Sequence, residues 1–288
     1  MWVFLNDRFV PERDAKVSVF DHGFLYGDGL FETFRAYDGR IFALSQHLRR
    51  FSISARQLQL SIPSLSFLEA RLNESLEKNA LNNAILRLTM TRGENRHPLR
   101  PDLCETSTLV ITVRSFSGLP EALYRDGVSA DIVNTRRATP VGAGPFIKSL
   151  NFLNNILAKL EINPEQTFEG IFLNQEGMLS EGTTSNLFWI SQGVLQTPST
   201  DATILAGVTR DIILSLAEKE GLVIEEGLYP PKTLLSAEEA FLSNTGIELI
   251  PLVQVSGKKI GSGKPGPVTQ KLHETFKNAV VNETGGGK

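Results

Sequence analysis

The sequence has few of the residues that form disulfides and metal sites. Its 288 residues include one cysteine, Cys104, and four histidines. One cysteine excludes an internal disulfide framework, and this composition with no His-x-Glu or Cys-x-x-Cys spacing predicts no metal site. Because a chain without disulfides suits a reducing compartment, we expect a cytoplasmic location.

The chain also lacks an excess of positive charge and a long apolar run. Lys and Arg total 29 against 32 Asp and Glu, a net charge of −3, so a nucleic-acid partner is not expected. No run approaches the roughly 20 apolar residues that cross a bilayer. The first residues do not read as a signal peptide, so no membrane partner is expected. What remains is a globular enzyme or binding protein.

Strand and helix patterns alternate in the first part of the chain. Residues 30–37 alternate as a strand, and Asp38-Gly39 after them predicts a hairpin. A shorter alternation at 17–20 predicts another strand. Ser45 is expected to be the N-cap of a helix that continues to about residue 60.

The chain is long enough for two modest domains. The segment 115–120, which contains glycine and proline, reads as a connector between them. Strand and helix patterns continue on both sides of it. We therefore predict a two-domain α+β (mixed α/β) fold, with domains 1–119 and 120–288.

Lys148 is the first candidate for chemistry. It follows Phe146-Ile147 and precedes a helical pattern at 150–157. Apolar neighbours remove water from a lysine, which lowers its pKa and favours the neutral amine that reacts with an aldehyde. The alternative is a lysine whose stem packs while its ammonium reaches water, and only the motifs that follow favour the chemical interpretation.

Two of those motifs can serve an aromatic, phosphorylated cofactor. Glu181 begins the stretch 181–186 before an apolar strand, and a carboxylate at that place can keep a pyridine nitrogen protonated. An ordinary surface turn is the alternative. At Gly207 a turn leads into a helix, where Val208 and Thr209 can present backbone N–H groups to an anion.

In their order and in their residues these motifs resemble those of the class IV aminotransferases, which are pyridoxal 5′-phosphate enzymes of fold type IV. The block 20–35, with Asp21-His22-Gly23 and Gly27-Asp28-Gly29, resembles that family too. The resemblance implies a small N-terminal α/β domain, a larger cofactor-binding C-terminal domain with a β-barrel-like core, and a homodimer.

The resemblance also implies roles for individual residues. Lys148 would form a Schiff base with the cofactor and move the proton, and Glu181 would face the ring nitrogen. The cofactor would further be bound by Arg50, Val208, Thr209, Asn244 and Thr245. The matching substrate positions are Tyr26, Phe31 and Arg87, and either Arg87 or Arg96 could hold a substrate carboxylate.

The resemblance leaves the reaction open. Residues 207–211 look like those of branched-chain enzymes, whereas 147–151 look like those of D-amino acid enzymes and lyases. We predict ping-pong transfer of the amino group of a branched-chain L-amino acid, a D-amino acid or an (R)-amine to a 2-oxo acid. The alternatives are a 4-amino-4-deoxychorismate lyase forming 4-aminobenzoate and pyruvate, and a binding protein without turnover.

Overall fold

The computed structural model of the protein describes residues 1–137 and 147–285. These residues divide into two compact units. The first unit contains 1–117, 147–151 and 280–285, and the second contains 118–137 and 152–279. Both units combine helices and strands, which confirms the predicted mixed α/β class. That 1–119 and 120–288 form separate domains stays a prediction.

The first unit is built on a six-stranded sheet. Its strands are β1 (Trp2–Leu5), β2 (Arg8–Pro11), β3 (Gly29–Tyr37), β4 (Arg40–Ile41), β5 (Ala84–Thr91) and β6 (Thr108–Ser115). Their spatial order is β2-β1-β6-β5-β3-β4, and every neighbouring pair is antiparallel. Its helices are α1 (His22–Tyr26), α2 (Leu44–Gln57) and α3 (Leu65–Lys78), with short 3₁₀ turns at Glu12–Asp14 and Pro101–Leu103.

Apolar side chains of α2 and α3 form the core of this unit with the sheet. Phe51 of α2 and Leu68 and Leu72 of α3 are fully buried in one cluster with Phe34 of β3 and Leu86 of β5. Their spacing places them on the inner stripe of each helix. The sheet is thereby fixed against both helices. Three candidate residues lie on this support, namely Phe31 on β3, Arg87 on β5 and Arg50 on α2.

The structure confirms the predicted hairpin and corrects two local predictions. Asp38 and Gly39 both have positive φ, 47° and 80°, as a two-residue turn between twisted strands requires. Residues 17–20 are not a strand, because the chain turns there and the Asp21 N–H donates to the Ser18 carbonyl. Ser45 is not the N-cap of α2, because the helix begins at Leu44 and its N-cap is Ala43, two residues before Ser45.

The second unit contains a mixed sheet of nine strands. They are β7 (Val128–Ile132), β8 (Glu169–Leu173), β9 (Leu179–Gly182), β10 (Asn186–Ser191), β11 (Val194–Pro198), β12 (Val223–Gly227), β13 (Glu239–Asn244), β14 (Glu248–Val255) and β15 (Lys258–Lys259). The order is β12-β11-β10-β13-β14-β7-β8-β9, with β15 paired to β14. The pairs β11–β12, β14–β7 and β7–β8 are parallel.

Five more helices complete the secondary structure of the described residues. They are α4 (Glu121–Asp126), α5 (Leu153–Leu160), α6 (Val208–Lys219), α7 (Pro231–Leu235) and α8 (Pro267–Thr284), with a 3₁₀ turn at Thr200–Ala202. The central strands of the second unit are almost completely buried, with Trp189, Leu242 and Ile250 among the core residues. Among the helices in the described ranges, none is long and apolar enough to cross a membrane.

Candidate active site

Lys148 lies in a short segment that pairs with the first half of β3. The Phe31 N–H donates to the Lys148 carbonyl over 3.0 Å, and the Leu150 N–H donates to the Gly29 carbonyl over 3.0 Å. Gly29 permits this approach, since a Cβ there would lie 2.8 Å from Leu150 Cδ1 and 2.6 Å from the Met90 carbonyl oxygen. The sheet therefore fixes the backbone of Lys148. The Phe146 used in the sequence interpretation lies outside the described residues.

Two cationic side chains contact the ring of Phe31. The Lys148 Nζ lies 4.5 Å from the ring centroid, and the Arg87 Cζ lies 3.7 Å from it. Arg87 stands diagonally across from Phe31 in the β3–β5 register and donates from Nε to Thr89 Oγ1 over 3.2 Å. Partial burial of the Arg87 guanidinium lowers its pKa from the ordinary value. The structure thus brings together three of the residues predicted from the sequence.

Arg50 forms a bidentate ion pair with Glu32, a residue that the sequence interpretation did not assign. Nε and Nη2 of Arg50 donate to the two carboxylate oxygens of Glu32, each over 2.7 Å, and His47 Nδ1 lies 2.9 Å from Oε2. Glu32 is completely buried, and this burial raises its pKa. The opposing effect of Arg50 and His47 is larger, so the pKa falls to about 2.

His47 and Arg50 are one helical turn apart on α2, so a single carboxylate on β3 can pair with both. Burial also lowers the pKa of His47, although Glu32 opposes this effect. The pair with Glu32 uses two of the five N–H donors of Arg50. Glu32 could have been suspected from the sequence only as the single acidic residue of the strand Gly29–Tyr37.

Tyr26 and Arg96 lie in other surroundings. The Tyr26 ring packs edge-on against His22, with ring centroids 5.0 Å apart. The Arg96 Cζ lies 4.8 Å from the ring centroid of Phe20. Their assignment to a substrate pocket stays a prediction.

In the second unit, Glu181 is buried and paired with Arg137. The Arg137 Nη2 lies 2.7 Å from Glu181 Oε1, and Glu181 Oε2 accepts hydrogen bonds from the Leu205 N–H and from Asn186 Nδ2. Arg137 also donates to Asn155 Oδ1 over 3.2 Å. These contacts hold the carboxylate in one orientation. Arg137 and Asn155 were missed because nothing in the local sequence of either residue links it to Glu181.

The start of α6 has the features of an anion site. Its N-cap is Gly207, which supplies no side-chain cap, and the first N–H groups of a helix have no partner within the helix. A Cβ at Gly207 would lie 2.1 Å from Asn186 Oδ1, so only glycine fits. Val208 and Thr209 form the first turn and are buried. This geometry can bind a phosphate group through backbone N–H groups.

The side chain of Asn244 shapes a turn at 244–247. Its Oδ1 accepts from the Gly246 and Ile247 N–H groups over 2.8 and 2.9 Å, and its Nδ2 donates to the Thr184 carbonyl over 3.0 Å. Thr245 lies within this turn and is half-buried. Direct contact of Asn244 or Thr245 with a cofactor stays a prediction.

Comparison with known proteins identifies the class of the fold. A model of the family described as Amino-transferase class IV matches residues 29–255. The solved Escherichia coli branched-chain amino acid aminotransferase superposes with a TM-score of 0.93 at 30% identity, covering 98% of this chain and 95% of that one. The branched-chain enzyme of T.th., solved with pyridoxamine 5′-phosphate, gives a TM-score of 0.93 at 28% identity, covering 99% and 96%.

Proteins of similar sequence carry the names of three different enzymes. A Methanocaldococcus jannaschii protein with the provisional name branched-chain-amino-acid aminotransferase is 40% identical, over 96% of both chains. The aminodeoxychorismate lyase of Bacillus subtilis is 35% identical, over 97% of this chain and 95% of its own. The D-alanine aminotransferase of Listeria innocua is 34% identical, over 99% and 98%.

The fold and the matched region define a fold type IV enzyme that uses pyridoxal 5′-phosphate. The protein belongs to the class IV aminotransferase family. This confirms the predicted family, fold, cofactor and class of enzyme, a pyridoxal-phosphate-dependent transaminase.

The described residues include the kinds of group that this cofactor requires. Lys148 carries an amine, Glu181 is a buried carboxylate, and the helix start after Gly207 has no side-chain cap and can bind an anion. Their contact with the cofactor stays a prediction. The orientation of Glu181 is fixed by protein donors on both of its oxygens, which suits a group that must hold one ring position.

Proposed function

We propose that the protein transfers the amino group of an amino acid to a 2-oxo acid in a ping-pong cycle, with a branched-chain L-amino acid or a D-amino acid as donor. The observation that carries this proposal is the position of Lys148 and Arg87 on the same aromatic ring. An amine and a carboxylate-binding cation beside one surface can hold the two ends of an amino acid. The full-length relatives with transaminase names support it.

Lys148 is proposed as the residue that bonds to the cofactor and later moves the proton. When bound, pyridoxal phosphate withdraws electrons from the substrate carbon, which makes loss of its proton possible. In our proposal the Lys148 amine would take the α-proton of the substrate and hold it for the return transfer. The Phe31 ring shields this amine on one side and limits its access to water.

Glu181 is proposed to hold the proton on the ring nitrogen. Arg137 balances its negative charge over 2.7 Å, and the Leu205 N–H fixes the second oxygen. The carboxylate therefore needs no reorganisation during the reaction. Val208 and Thr209 at the start of α6, Asn244 and Thr245 of the turn, and Arg50 are proposed to bind the phosphate.

Arg87 is proposed to bind the carboxylate of the substrate, and Tyr26 and Phe31 to line the pocket. Stacking on Phe31 restricts the rotation of the guanidinium, so less freedom is lost when a carboxylate binds. Arg96 remains the second candidate for this role.

The protein is further proposed to act as a homodimer in the cytoplasm. One stretch at the front of the chain exposes five large apolar side chains together, namely those of Val17, Val19, Phe20, Phe24 and Leu25. Monomeric proteins rarely leave such a patch uncovered, and a second copy of the chain would cover it. Light scattering coupled to size exclusion tests this, since a monomeric mass at micromolar concentration would contradict it.

The lyase reaction is the second candidate, supported by the relative of that name over nearly the whole chain. One experiment separates the two. L-Leucine, D-alanine or 4-amino-4-deoxychorismate is added singly to the cofactor-loaded protein, without an acceptor, while the absorption spectrum is recorded. Conversion to the pyridoxamine spectrum by either amino acid supports the transaminase. Pyruvate release from the chorismate derivative alone, with an unchanged spectrum, supports the lyase.

A further inference from the structure

Glu169 is a buried carboxylate that organises one short segment of the second unit. It is the first residue of β8 and is 1% exposed. Its carboxylate accepts a hydrogen bond from the N–H of the next residue, Gly170, over 3.0 Å. It also accepts from Thr183 Oγ1, the Thr184 N–H (3.2 Å), Thr184 Oγ1 (3.0 Å) and Ser185 Oγ (2.9 Å). Both carboxylate oxygens therefore accept from the segment 183–185.

Glu169 is ionised, and a cation from α5 balances its charge. Burial raises its pKa, but the Lys159 ammonium at 2.7 Å and the surrounding hydroxyl groups hold the pKa below its ordinary value. A buried charge is tolerated only when it is paired and fully hydrogen-bonded. In return, each donor to it is held by a charge-assisted bond, which is stronger than a neutral one.

The segment 183–185 is connected to the turn 244–247 through Thr184. Glu169 holds the Thr184 N–H and hydroxyl, and the Thr184 carbonyl accepts from Asn244 Nδ2 over 3.0 Å. The other end of the Asn244 amide holds the Gly246 N–H over 2.8 Å. A continuous set of hydrogen bonds thus leads from Glu169 to the turn.

We propose that Glu169 is a positioning residue that, through Thr184 and Asn244, holds the turn 244–247 in the shape that binds the phosphate of the cofactor. This inference rests on the proposed function, in which that turn contacts the phosphate. Glu169 itself does not touch the cofactor in this proposal. Its effect on cofactor binding is confined to the phosphate group of the cofactor.

The test compares pyridoxal 5′-phosphate with pyridoxal, which lacks the phosphate. In Glu169→Gln an amide N–H₂ replaces one acceptor and faces the donors of 183–185. We expect the Kd for pyridoxal 5′-phosphate, measured by titrating the apoprotein and recording absorbance, to rise about tenfold. The Kd for pyridoxal should change by less than about twofold. Glu165→Gln, an exposed acid four positions earlier, is the matched control.

A milder variant keeps the test informative if Glu169→Gln does not fold. Thr184→Val removes one hydroxyl donor to Glu169 but retains the backbone N–H and the carbonyl that meets Asn244. We expect it to shift the ratio of the two Kd values in the same direction by about threefold. Unfolding curves of each variant establish that the measured protein is native.

The outcomes separate the inference from the function on which it rests. Suppose that the wild-type protein binds pyridoxal 5′-phosphate more tightly than pyridoxal and that both variants keep its ratio of the two Kd values. The positioning role of Glu169 is then wrong and the proposed function stands. An equal loss of affinity for both compounds also contradicts the inference, because it assigns Glu169 to the fold alone. If the wild-type protein binds neither compound, the proposed function itself fails.

Discussion

The guanidinium carbon of Arg87 lies 3.7 Å from the centre of the Phe31 ring, within direct stacking distance. The register of β3 and β5 creates this contact, since it sets Arg87 diagonally from Phe31. Lys148 approaches the same ring from a segment distant in sequence. The ring therefore connects the candidate for proton transfer with the candidate for carboxylate binding.

Replacing Arg87 by leucine should weaken binding of the carboxylate that amino acids and 2-oxo acids share. We expect kcat/KM for 2-oxoglutarate and for pyruvate each to fall by about 10- to 100-fold, the usual effect of losing a charged hydrogen bond. Steady-state kinetics with both acceptors measure these values. Arg96→Leu is the matched comparison, and a loss of this size in Arg96→Leu alone would give the role to Arg96.

Replacing Lys148 by alanine should abolish turnover while the protein stays folded. We expect kcat to fall by at least about 10³-fold, because both the bond to the cofactor and the proton transfer are lost. The absorption band of the lysine-bound cofactor should disappear as well. Lys258→Ala, an exposed lysine of β15, serves as the control and should keep both. Retention of the band in Lys148→Ala would contradict the assignment.

Replacing Glu32 by glutamine should destabilise the protein at neutral pH. Removing one member of a buried ion pair takes away the negative charge that balances Arg50, and we expect a loss of about 3 kcal/mol in the free energy of unfolding. Urea unfolding of the variant measures this loss. The exposed acid Glu77 provides the control Glu77→Gln, which should stay close to wild type.

The destabilisation by Glu32→Gln should depend on pH in one direction. The folded pKa of Glu32 is about 2, against an ordinary 4.5. Its contribution to stability is therefore complete above pH 4.5 and is lost as the pH falls through about 2. The difference between wild type and variant should narrow over this range. A constant difference between pH 7 and pH 3 would show that the charge of Glu32 is not the cause.

Replacing Gly207 by alanine should disturb both Asn186 and the start of α6. The added Cβ would lie 2.1 Å from Asn186 Oδ1, so the Asn186 amide, which donates to Glu181, must move. We expect a loss of about 1–3 kcal/mol in the free energy of unfolding and weaker cofactor binding. Gly193→Ala has open space around it and only backbone strain at φ 76°, so it should leave cofactor binding intact.

Local sequence was sufficient for elements that local rules control. Asp38-Gly39 specified a tight turn because both residues accept positive φ. The helix predicted to follow the turn at Gly207 is observed as α6 (Val208–Lys219), because its glycine turn and apolar spacing are local signals. The alternation at 17–20 failed because a strand exists only when another strand pairs with it, and no local signal reports that.

The sequence by itself determined the family and the candidate residues, since Lys148, Glu181 and Thr209 lie in motifs whose residues and order along the chain resemble those of the family. Only the tertiary structure decided their partners. Glu32 with Arg50, Arg137 with Glu181, and Glu169 with Thr184 each join elements separated in the chain. Such pairs form because a buried charge must find a counter-charge and hydrogen-bond donors in space. Which residues supply the counter-charge and the donors depends on how strands and helices pack. The local sequence around each charged residue does not indicate that packing.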